Sequence, residues 1–417
     1  MLNYSEKSPV SGDEDNLEVK QTFSVVDLFS GAGGMSYGFH RHPDFRLIAA
    51  ADAEIGKPSM GKGSLQCNST YARNMGIVPK CLDLSQVRPD DLRDKLQLGR
   101  VKVDILSVCP PCTGFSRANP LNHTRDDHRN SLVIKAAEFA IALDPDIVVM
   151  ENARELIRGN FTEHYLTFKA RLEENGYHIH GKTHMLSSFG LPQVRERALV
   201  VAAKKHIAMK TLEDLWAGWE VSPSATTVKS AFEGISKYAS AQDSYPAFSD
   251  RVVADRLAAI PHNGGSWGDL VGTPQASELL TDAMKRIIRL NKLGSHPDVY
   301  GRMSWNKPAP TIKRECAHIG NGRYAHPVEN RLCSIRELAM LQGFPNEFQF
   351  SGKSLANNYR HIGDAVPPLV SFQIASLCSW MLTGIRPTIY DALLKGTHLK
   401  RNQIVKSKQL TLLHADR

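Results

Sequence analysis

Apolar and polar positions alternate in blocks along the first half of the chain. Short apolar runs rich in Val, Ile and Leu are typical of buried strands, and longer stretches with apolar residues every three or four positions are typical of helices. This alternation predicts an α/β fold, a doubly wound and mostly parallel sheet with helices on both faces. The apolar runs lie at 23–29, 47–51, 103–108 and 146–150, and the helical stretches include 131–143 and 161–175.

The strand and helix pattern is lost between about 204 and 300, where short helical pieces are separated by turns. It returns at 363–382, which reads as a turn followed by an amphipathic helix. Because 417 residues exceed one typical core, we expect two domains. Residues 1–22 are polar and we expect them to be disordered. The basic tail 386–417 favours a solvated helix over a segment that makes extra phosphate contacts.

The charge balance favours an anionic partner. A net charge of +8 and a pI near 9.0 suit nucleic acid better than a membrane surface. No apolar run reaches the ~18–20 residues that span a bilayer, and no charged-then-apolar leader opens the chain, so we expect a cytoplasmic protein. Seven cysteines, an odd number, do not suggest a disulfide framework, and no Cys or His set stands at zinc spacing, so we expect no metal.

Two chemically capable side chains follow predicted strands. Cys112 comes shortly after the run 103–108, and Glu151 directly follows the run 146–150. The carboxyl ends of strands in an open α/β sheet meet at one crevice, where ligands bind. A thiol there can attack an electron-poor ring and a carboxyl group can protonate it. Cys109 lies closer to the strand, and we expect it to be buried.

A glycine-rich turn and two acids indicate a cofactor that carries a nucleoside. Gly31 and Gly33 follow the first strand, where glycine lets a ligand approach the backbone closely. An acid about 20 residues later is the usual distance for binding ribose hydroxyls. Asp52 and Glu54 both stand at that distance, and Asp83 follows the next short segment. The spacing matches neither a dinucleotide fingerprint nor a Walker phosphate loop.

Six ordered segments resemble the DNA (cytosine-5) methyltransferase family, over about residues 23–380 apart from the variable stretch. They are DLFSGAGG (27–34), PCTGFS (111–116), EN (151–152), QVRER (193–197), RELAMLQGFP (336–345) and GDAVPP (363–368). Residues 126–130 fall where the mobile catalytic loop of the family ends. The resemblance identifies the chain as similar to the bacterial enzymes of type II restriction-modification systems.

The resemblance implies a class I, Rossmann-like fold that transfers a methyl group from S-adenosyl-L-methionine to carbon 5 of cytosine in double-stranded DNA. It implies that the target base is flipped out of the duplex. It also implies a catalytic domain of 23–203 plus 360–385, and a target-recognition domain of 204–359 whose variable part is about 204–300. We expect a monomer on DNA, and a cognate restriction endonuclease that forms no stable complex with it.

The resemblance also implies residue roles. Cys112 adds to carbon 6 of the ring, Glu151 donates to nitrogen N3, Arg197 faces the flipped base and Glu151, and Arg195 supports the DNA backbone or the catalytic loop. Asn152 is expected to fix the turn through a backbone contact. The expected cofactor contacts are Phe29, Gly31, Gly33, Gly34, Glu54, Asp83, Pro111, Asp364 and Val366. The expected DNA contacts are Ser116, Arg117, Arg125 and Arg129.

Several positions depart from the family pattern. Thr113 and Ala153 stand where Gln and Val are common, and Asp364 replaces a usual Asn, which adds a negative charge near the methionine end of the cofactor. The loop 56–64 is longer than in the family pattern. It makes the assignment of the acid that binds the ribose hydroxyls ambiguous between Asp52 and Glu54, and we favour Glu54.

Other functions stay open at this point. An enzyme of the same fold that methylates tRNA is one alternative, although GFS (114–116) and the long region 204–300 favour DNA. A DNA-binding regulator on an inactive methyltransferase scaffold is the second, and the intact reactive residues speak against it. A thiol oxidoreductase built on CPPC (109–112) is the third, and it leaves every other segment unexplained.

Overall fold

The computed structural model describes residues 22–57, 62–111, 126–236, 241–248, 250–291 and 298–407. The disorder predicted for 1–22 falls almost wholly outside these residues. The strands are β1 (Phe23–Leu28), β2 (Phe45–Asp52), β3 (Ile55–Lys57), β4 (Lys62–Ser64), β5 (Lys80–Cys81), β6 (Ile105–Val108), β7 (Ile147–Ala153), β8 (Tyr177–Met185), β9 (Glu196–Lys204), β10 (Trp219–Val221) and β11 (Ile404–Lys406).

Helices connect the strands and fill the second half of the chain. The α-helices are α1 (Gly34–Arg41), α2 (Cys67–Met75), α3 (Leu92–Lys95), α4 (Leu132–Leu143), α5 (Glu155–Arg158), α6 (Glu163–Glu174), α7 (Leu212–Trp216), α8 (Val228–Glu233), α9 (Arg251–Ala259), α10 (Ala276–Leu279), α11 (Asp282–Arg289), α12 (Ile335–Leu341), α13 (Leu355–Asp364) and α14 (Pro368–Thr383). Short 3-10 helices are Pro89–Asp91, His128–Ser131, Leu186–Phe189, Pro223–Thr226, Ala241–Asp243, Trp267–Leu270, Ile319–Asn321 and Arg401–Gln403.

Seven strands form one mixed sheet in the order β5-β2-β1-β6-β7-β9-β8. The first five of these are parallel, whereas β9 runs antiparallel to β7 and β8 antiparallel to β9. The predicted doubly wound, mostly parallel α/β sheet is therefore confirmed. Chain order reverses between β1 and β6, and a ligand crevice is expected outside the carboxyl ends of the strands at such a point.

Two buried clusters cover the faces of this sheet. The central strands β6 and β7 are buried along their whole length, which explains their unbroken apolar sequences. On one face, apolar residues of α3, α4 and α6 pack against the sheet. On the other face, α1 and α14 share a larger cluster with residues from 207 to 404. The two predicted domains thus share one core, which fixes the position of the second half relative to the sheet.

Helix α14 packs closely against α1. A Cβ atom on Gly38 would lie 2.2 Å from Ser371 Oγ, so only glycine permits this approach. Gly38 N donates to Ser371 Oγ at 3.0 Å, and that hydroxyl donates to Gly34 O at 3.0 Å. The predicted helix exists, but the expected amphipathic character is wrong, because nearly every residue of α14 is buried. The expected turn is also shorter, since Gly363 belongs to α13.

The basic C-terminal segment is not the solvated helix that we predicted. Residues 386–407 contain no α-helix, and β11 pairs antiparallel with β10 in the register Trp219 to Lys406. Five apolar residues anchor the segment in the core. They are Ile389, Ala392, Leu394, Leu399 and Ile404.

No single helix in the described ranges is long and apolar enough to cross a membrane. Helices α13 and α14 meet the length and composition criteria only as a pair, with a bend of 40° between them.

Candidate active site

The predicted site residues gather at the carboxyl ends of the central strands. Phe29 follows β1, Pro111 follows β6, and Glu151 lies near the end of β7. Cys109 N donates to Leu28 O at 3.3 Å, so the ends of β1 and β6 are held side by side. The predicted nucleophile Cys112 lies outside the described residues, directly after Pro111.

Glu151 and Arg197 form an ion pair in this crevice. Arg197 Nε lies 2.9 Å from Glu151 Oε1, and the two side chains are 15% and 9% exposed. The pair is possible because β7 and β9 are antiparallel neighbours and Ala153 lies opposite Arg197. Arg197 Nη1 also donates to Glu196 O at 2.8 Å, which holds the guanidinium in place. The crevice therefore contains an oriented carboxylate beside a fixed cation.

Two contacts join the end of β6 to the end of β7. Glu151 N donates to Cys109 Sγ at 3.4 Å, and Asn152 Nδ2 donates to Pro110 O at 3.0 Å. The predicted backbone contact of Asn152 is confirmed. Cys109 is partly buried and packs against the core, and burial raises the pKa of its thiol well above the ordinary value. A thiol in that state is a poor nucleophile, which suits the expectation that Cys109 is not the reacting cysteine.

Arg195 has a different position from the one that we expected. Its side chain is 2% exposed, and it donates to Ile312 O at 3.1 Å and to Ala365 O at 3.3 Å. The predicted support of the DNA backbone is therefore wrong for this conformation, because the guanidinium is buried among backbone carbonyls. Arg195 instead joins the sheet to the segment that carries the last predicted cofactor motif. The catalytic loop, its other predicted partner, falls largely outside the described residues.

The glycine-rich turn leaves open space where a ligand could lie. Gly31 has φ +52°, and a Cβ atom built on it would meet no atom within 4 Å. At Gly33, φ is +90° and a Cβ atom would lie 2.2 Å from Met75 Cε. At Gly34 it would lie 2.2 Å from Val366 O. Gly31 thus borders the crevice. Because Gly33 and Gly34 have no side chains, α2 and the segment 363–368 can pack closely around the glycine-rich turn. Phe29 also adopts a positive φ, 59°, at the mouth of the turn.

Asp52 and Glu54, the two candidates for the ribose, have different partners. Asp52 Oδ2 accepts from Gly31 N at 2.9 Å, so this carboxylate faces the glycine turn. Glu54 Oε1 accepts from Asn68 N at 2.8 Å, in the first turn of α2. A carboxylate at that place satisfies one of the free N–H groups of a helix start. The geometry favours Asp52 at the crevice, against our expectation of Glu54.

Asp83 is exposed beyond β5, and its Oδ1 accepts from Ser85 N at 3.0 Å and from Ser85 Oγ at 2.6 Å. Both contacts orient the carboxylate through Oδ1, and neither involves Oδ2. Asp83 therefore remains available to a ligand at this end of the crevice.

Asp27 is a buried acid that the sequence patterns did not single out. It is 1% exposed, and it accepts from Ser36 Oγ at 2.5 Å and from Ser107 Oγ at 2.7 Å. Tyr71 Oη lies 2.7 Å from the same Ser36 hydroxyl. Burial raises the pKa of Asp27 to about 7, although the two serine hydroxyls oppose the rise. An acid inside the apolar run FSVVDLF was the available signal.

Asp364 lies at the end of α13 and forms an ion pair with Arg314. Arg314 Nη1 lies 2.7 Å from Asp364 Oδ2, and Arg314 Nη2 donates to Gly56 O at 2.5 Å. Val366, the next predicted cofactor residue on this segment, is 7% exposed. Arg314 was not among the predicted residues, since no motif marked it.

Of the predicted DNA contacts, Ser116, Arg117 and Arg125 lie outside the described residues. Arg129 lies in the 3-10 helix His128–Ser131, and its Nε and Nη2 contact the two oxygens of Asp127 at 2.7 and 2.5 Å. The side chain is 17% exposed. The expected phosphate contact is not supported here, because the guanidinium already has a bidentate carboxylate partner.

Asp126, Glu163 and His164 bring ligand atoms within 4.8 Å of one another, a set that could hold a metal ion. His164 Nε2 lies 2.9 Å from Asp126 Oδ2, and Asn130 Nδ2 donates to Asp126 Oδ1 at 2.7 Å. Because these direct contacts already satisfy Asp126, we assign no metal to the cluster.

The chain is similar to known proteins along most of its length. The family model for C-5 cytosine-specific DNA methylases matches residues 23–380. The type II methylase M.HgiDII of Herpetosiphon aurantiacus is 30% identical over 374 residues, which cover 87% of this chain and 96% of the relative. The type II methyltransferase M1.HphI of Haemophilus parahaemolyticus is 28% identical over 374 residues, 87% of this chain and 88% of the relative.

Among solved structures, an E. coli protein described as a DNA modification methyltransferase encoded within a prophage has a TM-score of 0.59. It is 21% identical, and the match covers 87% of this chain and 100% of that one. At this identity the likeness shows the fold.

Proposed function

The chain belongs to the C-5 cytosine-specific DNA methylase family, as a type II DNA cytosine-5 methyltransferase, and on that premise we propose that it methylates one specific double-stranded DNA sequence through a covalent Cys112–cytosine intermediate. The observation that supports this mechanism is the Glu151–Arg197 pair. It lies at the strand end next to the one from which the Cys112 segment departs, and the Asn152–Pro110 contact fixes the spacing of those two ends.

We propose S-adenosyl-L-methionine as the methyl donor. This cofactor supplies an electrophilic methyl group on a sulfonium. The open space at Gly31 would receive it, and Phe29 would border its adenine and ribose. Asp52 at the glycine turn would bind the ribose hydroxyls, and Asp83 would accept from the adenine amine. The acids around the crevice suit a ligand with a positive sulfonium and a positive ammonium group.

The chain's own residues would perform the remaining chemistry. The Cys112 thiolate would bond to carbon 6 of the flipped cytosine, which gives carbon 5 the electron density to take the methyl group from the sulfonium, whose sulfur keeps the electron pair of the broken bond. A base would then remove the carbon 5 proton, and the bond between Cys112 and carbon 6 would break to restore the ring and the thiolate. Flipping is required because carbon 5 lies within a stacked duplex.

Glu151 and Arg197 would divide the work of holding the ring. A protonated Glu151 carboxyl can donate to nitrogen N3 and accept from the exocyclic amine, which identifies cytosine by its pairing edge. Arg197 would orient this carboxyl through the 2.9 Å contact and contribute positive charge near the ring oxygen. Arg195, which is buried against Ile312 O and Ala365 O, would stabilise the segment behind the crevice.

The region 204–300 would choose the DNA sequence, because every proposed reacting group lies outside it. In a bacterial host this activity would protect DNA against a cognate restriction endonuclease. Methylation of tRNA by the same fold is the alternative reaction, and it shares the proposed chemistry.

One experiment separates these substrates. Purified protein and labelled S-adenosylmethionine would be incubated with genomic duplex DNA and, separately, with unmodified tRNA; bisulfite sequencing would locate the product. We expect methylcytosine within one short sequence of the duplex DNA and none in tRNA. Methylation of tRNA alone, or of cytosines without a common sequence, would contradict the proposal.

A further inference from the structure

We propose that Arg314 is a positioning residue of the cofactor crevice, which holds the β3–β4 hairpin and Asp364 together as one side of the site. This inference rests on the proposed function, because it assigns the crevice to S-adenosylmethionine. It adds a residue outside the six segments that resemble the family, and it explains how the chain accommodates an acid where Asn is usual.

The guanidinium of Arg314 joins two separate parts of the chain. Its Nη1 lies 2.7 Å from Asp364 Oδ2, at the end of α13. Its Nη2 donates to Gly56 O at 2.5 Å and to Ile55 O at 3.4 Å, both on β3. The side chain is 21% exposed, so water competes only partly for these contacts. The planar fork of arginine can bond a carboxylate and a carbonyl at once, which the single ammonium of lysine does less well.

The other strand of the hairpin has its own anchor on α13. Asn357 Nδ2 donates to Ser64 O at 3.3 Å, and His361 Nε2 lies 2.8 Å from Leu65 O. Glu54 O accepts from Leu65 N at 2.7 Å and closes the base of the hairpin. The anchors on α13 hold the β4 side, whereas Arg314 holds the β3 side. Together they hold β3 and β4 against the segment of the last cofactor motif.

Charge gives Arg314 a second effect on the same site. Burial raises the pKa of Asp364 to about 6, whereas the cations of Arg314 and Arg195 oppose the rise and the acids Glu315 and Asp52 add to it. Asp52 in turn faces the glycine turn through Gly31 N. Two acids therefore border the crevice, and the cation of Arg314 compensates the extra one. Without Arg314, Asp364 Oδ2 would lose the 2.7 Å contact that holds it.

The test is calorimetric titration of the full chain with S-adenosylmethionine, together with steady-state methylation of duplex DNA. The variants are Arg314→Met, Arg314→Lys, Asp364→Asn and the double variant Arg314→Met/Asp364→Asn. The matched control is Arg360→Met. Arg360 lies on α13, contacts Glu315 at 3.1 Å and donates to Asn357 Oδ1 at 3.4 Å. Its removal also breaks an arginine–carboxylate pair, but it removes no group that bonds directly to the hairpin, because Asn357 contacts Ser64 O through its Nδ2. Hydrogen exchange of the hairpin amides supplies a second readout.

We expect Arg314→Met to raise the Kd for S-adenosylmethionine about tenfold, the size of one charge-assisted contact, with kcat at saturating cofactor within about threefold of the wild type. Arg314→Lys should raise the Kd for S-adenosylmethionine by about threefold or more. If the Met variant does not fold, the Kd of the Lys variant tests the proposal in its place. Because Arg314 and Asp364 act as one unit, the Kd of the double variant for S-adenosylmethionine should lie within about twofold of the Kd of Arg314→Met. Hairpin amides should exchange faster in Arg314→Met and not in Arg360→Met.

Equal effects of Arg314→Met and Arg360→Met on Kd would overturn the proposal. The proposal would also be overturned if the increases in Kd caused by Arg314→Met and Asp364→Asn multiplied in the double variant. A fall in kcat of Arg314→Met at unchanged Kd would overturn it as well. Failure of the proposed function would be seen separately, because the wild-type chain would then neither bind S-adenosylmethionine nor methylate DNA.

Discussion

Gln193 Nε2 lies 2.7 Å from Gln342 Oε1, and both side chains are fully buried. Gln193 Oε1 also accepts from Ile312 N at 2.9 Å, and Gln342 Nε2 donates to Ala365 O at 2.8 Å. These amides connect the paired-arginine segment, the LQGFP segment and the last cofactor motif, three parts of the chain far apart in sequence. The pair therefore holds the second half of the molecule against the edge of the crevice.

Gln342→Ala should lower the free energy of unfolding by about 2 kcal/mol, because it leaves a cavity and removes partners from buried amide and carbonyl groups. Denaturant unfolding followed by circular dichroism measures this loss. Gln86→Ala, at an exposed position, is the control and should change the free energy by less than about 0.5 kcal/mol. A loss at Gln342 no larger than at Gln86 would show that the buried pair contributes no net stability.

Cys112→Ser should abolish methyl transfer, since a hydroxyl is a much weaker nucleophile than a thiolate. Cys109→Ser should keep most of the activity, because a serine hydroxyl can still accept from Glu151 N as the thiol does at 3.4 Å. DNA with 5-fluorocytosine at the target should trap a covalent adduct, and mass spectrometry of the digested protein would locate it. An adduct on Cys109, or none with an active preparation, would overturn the assignment of the nucleophile.

Glu151→Gln should lower the rate of methylation by on the order of 10²-fold or more, because the amide keeps the shape but cannot transfer a proton. Calorimetric binding of S-adenosylmethionine should change little. Glu155→Gln is a suitable control, since Glu155 pairs with Arg154 rather than Arg197. Comparable losses of methylation and of cofactor binding would mean that Glu151 serves the cofactor instead of the base.

Asp27 should make stability depend on pH. Its folded pKa of about 7 lies above the ordinary 3.8, so its folded form prefers the proton. The stabilisation is fully present below about pH 4 and is lost as pH rises to about 7, with a total on the order of 4 kcal/mol. Asp27→Asn cannot lose a proton, so its stability relative to the wild type should rise over this interval. Urea unfolding of both proteins at several pH values measures the difference, and parallel curves would contradict it.

Exchange of the recognition region should change the methylated sequence but keep carbon 5 of cytosine as the target. The structure narrows the segment to exchange, because β10, inside the region 204–300, pairs with β11 outside it. A chimera with residues 250–291 of a relative preserves that pairing. Bisulfite sequencing of DNA from cells that express the chimera would read the result. An active chimera that kept the original sequence would place recognition elsewhere.

The sheet could be predicted because each central strand is buried on both faces and therefore has an unbroken apolar sequence. The strand-end position of Glu151 followed from the same pattern. The C-terminal segment could not be predicted, since its buried apolar residues at 389, 392, 394, 399 and 404 follow one another after three, two, five and five positions, which is the period of neither a helix nor a strand. The choice between Asp52 and Glu54 could not be made from the sequence for another reason. Spacing places both acids near the crevice but does not say which carboxylate a helix start will take.

The contact between α1 and α14 also determines when the enzyme can first become active during synthesis. Gly34 and Gly38 lie near the beginning of the chain, yet Ser371, which bonds to both, is translated more than 300 residues later. A nascent chain could form β1 and β2 early, but the cofactor crevice would stay open on one side until α14 had left the ribosome. Contacts this distant in sequence are typical of slow folding. Translation products that stop before α14 should therefore be unable to methylate DNA.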